Sequence, residues 1–256
     1  MSLSVTTLFS GSSGNCALIS ADGRRFLIDA GVSAKRIRDA LAALSVDVGS
    51  IEAVFVTHDH IDHVRGLAVL SRTFRVPVMM NVPTARACIA NRYFAPEDFT
   101  DNLFLFENAV EYSESGLCVR SFDVPHDAAA PVGYRFEYKG ECLAAATDTG
   151  HVTDSMIGNF YGCGTAVIEA NHDPEMLNNG PYPQWLKDRI ASPVGHLSNG
   201  DCADFAEILS KNGAKEIILA HISRENNTPE LALRAVEKKV RGTAVETAKR
   251  DLIKEG

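Results

Sequence analysis

No stretch of this 256-residue sequence approaches the roughly 20 unbroken apolar residues that a membrane-spanning helix needs. Basic residues are missing from Met1–Ser10, so the start lacks the charged lead of a secretory signal. Both absences lead to the expectation of a cytoplasmic protein with no membrane partner. Tryptophan occurs once, and the cysteines (Cys16, Cys88, Cys118, Cys142, Cys163 and Cys202) include no Cys-x-x-Cys pair. An even count in a chain this long does not build a disulfide framework, so six reduced, mostly packed thiols are expected and none is a preferred metal ligand. Low-complexity segments, fixed-period repeats and linkers rich in Pro, Gly or Ser are missing too, which points to a single domain over residues 1–256. Positive charge is in deficit. Lys and Arg number 25 against 33 Asp and Glu, a formal net charge of −8 that argues against tight bulk-charge binding of nucleic acid.

What is present is a chain 45% hydrophobic, enough for a sizeable core. Leu3–Phe9 reads as a strand, broken by Ser10-Gly11-Ser12-Ser13-Gly14-Asn15. Cys16–Ser20 and Arg25–Asp29 follow as strands around an Asp22-Gly23 hairpin turn. The spacing of Ile37, Leu41 and Leu44 predicts a helix over Ser33–Leu44 with Ser33 as its cap. Ala53–Val56 is a short buried-type strand that runs into Thr57-His58. Beyond it, helices are expected at Gly66–Phe74, Pro83–Arg92, Gly200–Leu209 and Pro229–Lys239. Strands are expected at Val76–Met80, Leu103–Phe106, Leu117–Val124, Val132–Tyr138, Cys142–Ala146, Ala166–Glu169 and Lys215–Ala220. Strands in the middle with helices on either side make an α/β sandwich of two mixed sheets.

The chemistry concentrates in Thr57-His58-Asp59-His60-Ile61-Asp62-His63, where three of the eight histidines fall within six residues. Residues two apart in an extended segment point the same way, so His58 and His60 can grip one cation. Asp62 and His63, at the following turn, can reach a second. Four ligands do not complete two sites, and three further residues stand at the ends of apolar runs: His126, Asp148 and His221.

The succession His58/His60/Asp62/His63, His126, Asp148 and His221 resembles the metallo-β-lactamase fold superfamily. That resemblance implies an αββα four-layer sandwich with two metals at one edge of its sheets. His58, His60 and His126 would bind the first metal, and Asp62, His63 and His221 the second, with Asp148 bridging them. Phe9–Cys16, Pro125-His126-Asp127, Thr147-Asp148-Thr149-Gly150, Gly195–Asn199 and His221–Asn227 further resemble the YycJ/WalJ group, which implies a 5′→3′ DNA exonuclease and so a DNA substrate. A looser similarity to ribonuclease Z pairs Glu169 with His196.

The expected reaction is in-line attack on a phosphodiester by a hydroxide held between two divalent cations, with Asp62 orienting it. His196 would protonate the leaving oxygen and Glu169 would hold its far ring nitrogen. Five imidazoles and two carboxylates suit Zn²⁺, with Mn²⁺ and Fe²⁺ also compatible. Ser12, Ser13 and Asn15 form either a phosphate nest or a tight turn, and Arg224 either a phosphate contact or a surface ion pair. His151 is expected to be an exposed cap, and His172 to support the site at most. Trp185, with Tyr182 and Pro183, reads as a hydrophobic plug or a flap beside the site. Other substrates (RNA, a small phosphodiester, a lactone or a thioester), redox chemistry at a di-iron centre and a non-catalytic scaffold stay open, as does the oligomeric state.

Overall fold

The computed structural model describes residues 2–99, 101–107 and 109–254, which divide into two compact units. The first comprises Met1–Arg120, Ala128–Pro131 and Lys249–Gly256, and the second Ser121–Asp127 and Val132–Ala248.

The first unit opens with β1 (Leu3–Phe9), β2 (Cys16–Ala21) and β3 (Arg24–Ile28), an antiparallel meander. Asp22 and Gly23 both take positive φ (46° and 90°), the geometry of the tight hairpin turn that Asp-Gly favours. Helix α1 (Ala34–Ala43) begins at Ser33, whose side chain accepts from the Arg36 amide, and buries Ile37, Ala40 and Leu41. It carries the chain to β4 (Ala53–Phe55), parallel to β3. Next come α2 (Ile61–Val64) and α3 (Leu67–Phe74), then β5 (Val78–Asn81), α4 (Val82–Ala90) and β6 (Leu103–Phe106). The sheet order is β1-β2-β3-β4-β5-β6, parallel from β3 onward. Each crossover helix returns the chain so that β3, β4 and β5 end on the same side.

In the second unit β9 (Val132–Tyr138) and β10 (Glu141–Ala146) are antiparallel. Helix α5 (Asp154–Phe160) then leads to β11 (Thr165–Glu169), parallel to β10. Helices α6 (Pro174–Asn179), α7 (Gln184–Ile190) and α8 (Asn199–Lys211) precede β12 (Glu216–Ala220), and α9 (Pro229–Glu237) precedes β13 (Ala244–Thr247). The sheet is ordered β13-β12-β11-β10-β9-β8-β7, where β7 (Glu111–Glu114) and the start of β8 (Leu117–Asp123) are counted with the first unit. Its core, with Ala144, Ile168, Phe205, Ile217 and Leu219, is almost wholly aliphatic and aromatic. Two mixed sheets flanked by helices are the architecture that the strand and helix pattern implied.

The expected elements all form, with boundaries shifted by a few residues. Those with no sequence expectation are short: β7, β13, α2, α5, α6 and α7. β7 has one apolar residue, Tyr112, whose ring packs 6.1 Å from Phe26 and 5.9 Å from Phe55. One ring packed on two others leaves no periodic trace. The thiol expectation needs correcting. Cys142 and Cys163 are joined in a disulfide, brought together by the parallel pairing of β10 with β11, their Cα atoms 4.5 Å apart. Cys16, Cys88, Cys118 and Cys202 are free. No helix among the described residues is long and apolar enough to cross a membrane.

Candidate metal centre

The first unit assembles its polar cluster around Asp29. β3 ends at Ile28, and Asp29 takes φ 61°, turning the chain sharply at the strand end. Its carboxylate is buried and accepts three bonds: from the Thr57 amide (2.8 Å), the Thr57 hydroxyl (2.8 Å) and His63 Nδ1 (2.8 Å). With its hydroxyl proton committed to Asp29, Thr57 accepts from His58 Nδ1 at 2.9 Å. Both histidines are thereby set as Nδ1–H tautomers, which leaves Nε2 with the lone pair a metal requires. The rings of His58 and His63 lie 4.0 Å apart between centroids, and those of His58 and His60 4.7 Å.

Asn15 fixes the other side of this cluster. Its Oδ1 accepts from the Gly11 amide, which aims the side-chain NH₂ at His63 Nε2 (2.9 Å) and Asp62 Oδ2 (3.4 Å). These two acceptors therefore face one point, as two ligands of one cation must. The backbone reinforces the arrangement, since the Asn15 amide donates to the Asp62 carbonyl and Gly31 to the Asn15 carbonyl, both at 2.8 Å. Gly31 has no room for a side chain. A Cβ there would lie 1.5 Å from the Asp62 carbonyl oxygen. Gly31→Ala is expected to displace the Asp62 turn, lowering stability by about 3 kcal/mol, read by denaturant unfolding, with a parallel loss of metal affinity.

In the second unit Glu169, at the end of β11, is fully buried and accepts four hydrogen bonds. Oε1 takes His196 Nδ1 and His221 Nδ1, both at 2.8 Å; Oε2 takes the amides of Thr149 (2.8 Å) and Leu197 (3.2 Å). Burial alone would raise its pKa, but the His196 charge and the imidazole hydrogen bonds outweigh it and hold the carboxyl at about 2. Burial would likewise lower the His196 pKa, and the Glu169 charge reverses that and leaves it raised. Asp148 follows β10 at φ 57° and His221 follows β12 at φ 54°, so three residues of the two clusters, with Asp29, sit in left-handed backbone at strand ends. Asp148 Oδ1 lies 3.4 Å from His221 Nδ1 and 3.9 Å from His126 Nε2. His126 in turn gives its Nδ1 proton to the Gly195 carbonyl at 3.0 Å, so its Nε2 is the lone-pair nitrogen.

One ligand atom from each of Asp148, Glu169, His196 and His221 fits within 4.8 Å of the others. With four donors already on Glu169, that carboxylate orients imidazoles and is not itself a ligand.

His58, His60, Asp62 and His63 thus lie together in the first unit, and His126, Asp148, Glu169, His196 and His221 together in the second. Ser12, Ser13 and Arg224 are exposed. Asn15 sits against Asp62 and His63 and positions them. His151 is exposed, its Nδ1 on the Pro193 carbonyl, and His172 is buried with its pKa lowered by burial. Trp185 is 68% exposed, which excludes the plug. Sequence reasoning passed over Asp29, Thr57 and Asn171, whose amide donates to the His221 carbonyl. An acidic residue closing a buried strand was the available signal for Asp29.

The model of the beta-lactamase superfamily domain matches residues 24–222 of this chain. An exodeoxyribonuclease YycJ of Bacillus anthracis is 38% identical over 236 residues, spanning 92% of this chain and 88% of that protein. An exodeoxyribonuclease WalJ of Streptococcus pneumoniae serotype 2 is 38% identical over 225 residues, 88% of this chain and 83% of that one. Among solved structures, the metallo-β-lactamase fold protein YhfI from Bacillus subtilis aligns at a TM-score of 0.72 with 15% identity, over 96% of both chains. That likeness speaks to the fold.

Proposed function

This chain belongs to the beta-lactamase superfamily and to its YycJ/WalJ-like group, and on that premise we propose that it is a dinuclear metal-dependent phosphodiesterase, a DNA exonuclease of the 5′→3′ type. The donor set supports the metals. Its five imidazoles (His58, His60, His63, His126 and His221) and two carboxylates (Asp62 and Asp148) suit Zn²⁺ best and accommodate Mn²⁺ or Fe²⁺. In four of the five, a second group already holds Nδ1: Thr57, Asp29, the Gly195 carbonyl or Glu169. Ligating histidines are tied in this way to fix tautomer and ring direction. We assign His58, His60 and His126 to one ion and Asp62, His63 and His221 to the other, with Asp148 shared. We keep residues 1–256 as one catalytic domain on the strength of the family match over residues 24–222. The exodeoxyribonuclease names of the relatives support a DNA partner and, with it, a cytoplasmic enzyme.

When bound, a pair of divalent ions supplies positive charge for the phosphodiester and lowers the pKa of an attacking water. The chain's own residues do the rest. Asp62, braced by Asn15, accepts a hydrogen bond from the water and aims it. His196 Nε2 delivers a proton to the leaving oxygen while Nδ1 stays on Glu169. The observation that carries this reading is Glu169 itself: one buried carboxylate orients both a ligand, His221, and the proton donor, His196.

The test is parallel digestion of end-labelled 5′-phosphorylated duplex DNA, matched RNA and a chromogenic bis-phosphodiester, with and without added Mn²⁺. Stepwise release of nucleotides from the DNA 5′ end is expected. Turnover of RNA or of the small diester alone would replace the DNA reading with one of those substrates.

A further inference from the structure

We propose that helix α7 is a nucleobase-stacking platform for the DNA strand being digested, with Trp185 as the stacking ring. The inference deepens the exonuclease reading and rests on it. Trp185 is the chain's single tryptophan, and it stands 68% exposed on a seven-residue helix. Exposed on a helix whose far end meets the His196 backbone, this ring offers a flat face on which a base can stack.

The helix is fastened to the catalytic residues. Arg189 Nε donates to Asp127 Oδ2 at 2.5 Å, and Asp127 Oδ1 lies 3.4 Å from His126 Nε2. The carbonyl of Ile190, the last residue of α7, accepts from the His196 amide at 2.9 Å. Gly195 packs so closely on this helix end that a Cβ would lie 2.2 Å from the carbonyl oxygens of both Arg189 and Ile190. One end of α7 therefore rests on the backbone of the proton donor, and its Arg189 reaches the loop of His126.

Trp185 precedes Arg189 by four residues, so the two share a helix face one turn apart. That face combines a flat π surface with a guanidinium that already points toward the site. Gln184 and Asp188 bond to each other at 2.8 Å, and Lys187 Nζ anchors α7 to the Asn178 carbonyl at 2.7 Å. Lys187 and Arg189 put two cations on the same short helix as the ring, Arg189 shared with Asp127. An aromatic ring with cations beside it is how proteins hold single strands without reading sequence, through ring–base stacking and contacts to the phosphates. The occupant is thus a single-stranded deoxynucleotide segment, its base on Trp185 and its phosphate toward the Arg189 end.

Because Trp185 is the single tryptophan, intrinsic fluorescence reports on it directly. The metal-loaded protein is titrated with a phosphorothioate octadeoxynucleotide bearing a 5′-phosphate, and saturable quenching is expected. Trp185→Ala is expected to raise KM for DNA about tenfold or more, with kcat on the chromogenic bis-phosphodiester unchanged, and Trp185→Phe to restore most of the DNA affinity. DNA digestion by the wild type with no quenching, and an unchanged KM in Trp185→Ala, would overturn the platform and leave the exonuclease reading standing. Failure of the wild type to digest DNA at all, with the diester still hydrolysed, would overturn the exonuclease reading and the platform together.

Discussion

His196→Ala is expected to retain its full metal content and lose DNA turnover by about 100-fold or more. In the proposed reaction this ring is the proton donor and not a metal ligand. Its Nδ1 is committed to Glu169 at 2.8 Å, and its centroid lies 5.1 Å from the His126 ring and 5.3 Å from the His221 ring. The negative charge of Glu169 keeps the imidazole more basic than an ordinary histidine despite burial. Nε2 is the atom free of Glu169 that can give up a proton. Removing the ring takes away the donor while His221 keeps its hold on Glu169, so the metals stay. The measurement is kcat on 5′-phosphorylated duplex DNA beside elemental analysis of the same preparation. Lost metal with an unchanged residual rate would take His196 out of the reaction.

Glu169→Gln should do damage of a different kind, to metal affinity and rate together. The carboxylate accepts from four donors, and a carboxamide of the same shape can accept at one end only. If its oxygen keeps the Thr149 and Leu197 amides, its NH₂ faces His196 and His221. Both rings must then carry their proton on Nε2, which removes the lone pair that His221 offers a metal and reverses the role of His196. If the amide turns round, two buried backbone donors lose their acceptor, at about 1–3 kcal/mol each. Metal affinity is expected to fall about 10- to 100-fold, measured by competition with a chromophoric chelator, with DNA turnover falling at least as far. Unchanged affinity and rate would mean that Glu169 serves only the packing of β11.

Much of this site was legible from residue order, for a physical reason. His126, Asp148 and His221 could be picked out as polar residues following apolar runs, and the fold sets them just beyond the ends of β8, β10 and β12. The His58–His63 segment announces itself by density. Asp29 closes a run in the same way, yet its carboxylate is taken up by Thr57 and His63. Its role depends on a left-handed backbone and on Thr57 and His63, 28 and 34 positions further on. No local pattern carries that information. Asn15 ends a glycine-containing loop, a pattern that fits a phosphate nest or a tight turn equally; its side-chain amide reaches Asp62 and His63, which the pattern does not disclose. Long elements were legible from periodicity, whereas β7 and α7, four and seven residues long and held by a few tertiary contacts, were not. The Cys142–Cys163 bridge was hidden because it depends on which strands become neighbours.

The most direct measurement is the ratio of metal to chain after reconstitution with Zn²⁺ or Mn²⁺ and removal of loosely held ions, followed alongside exonuclease activity. The account predicts two ions per chain, activity that rises with filling, and a ratio near one in His221→Ala. A fully active protein holding one ion or none would contradict it.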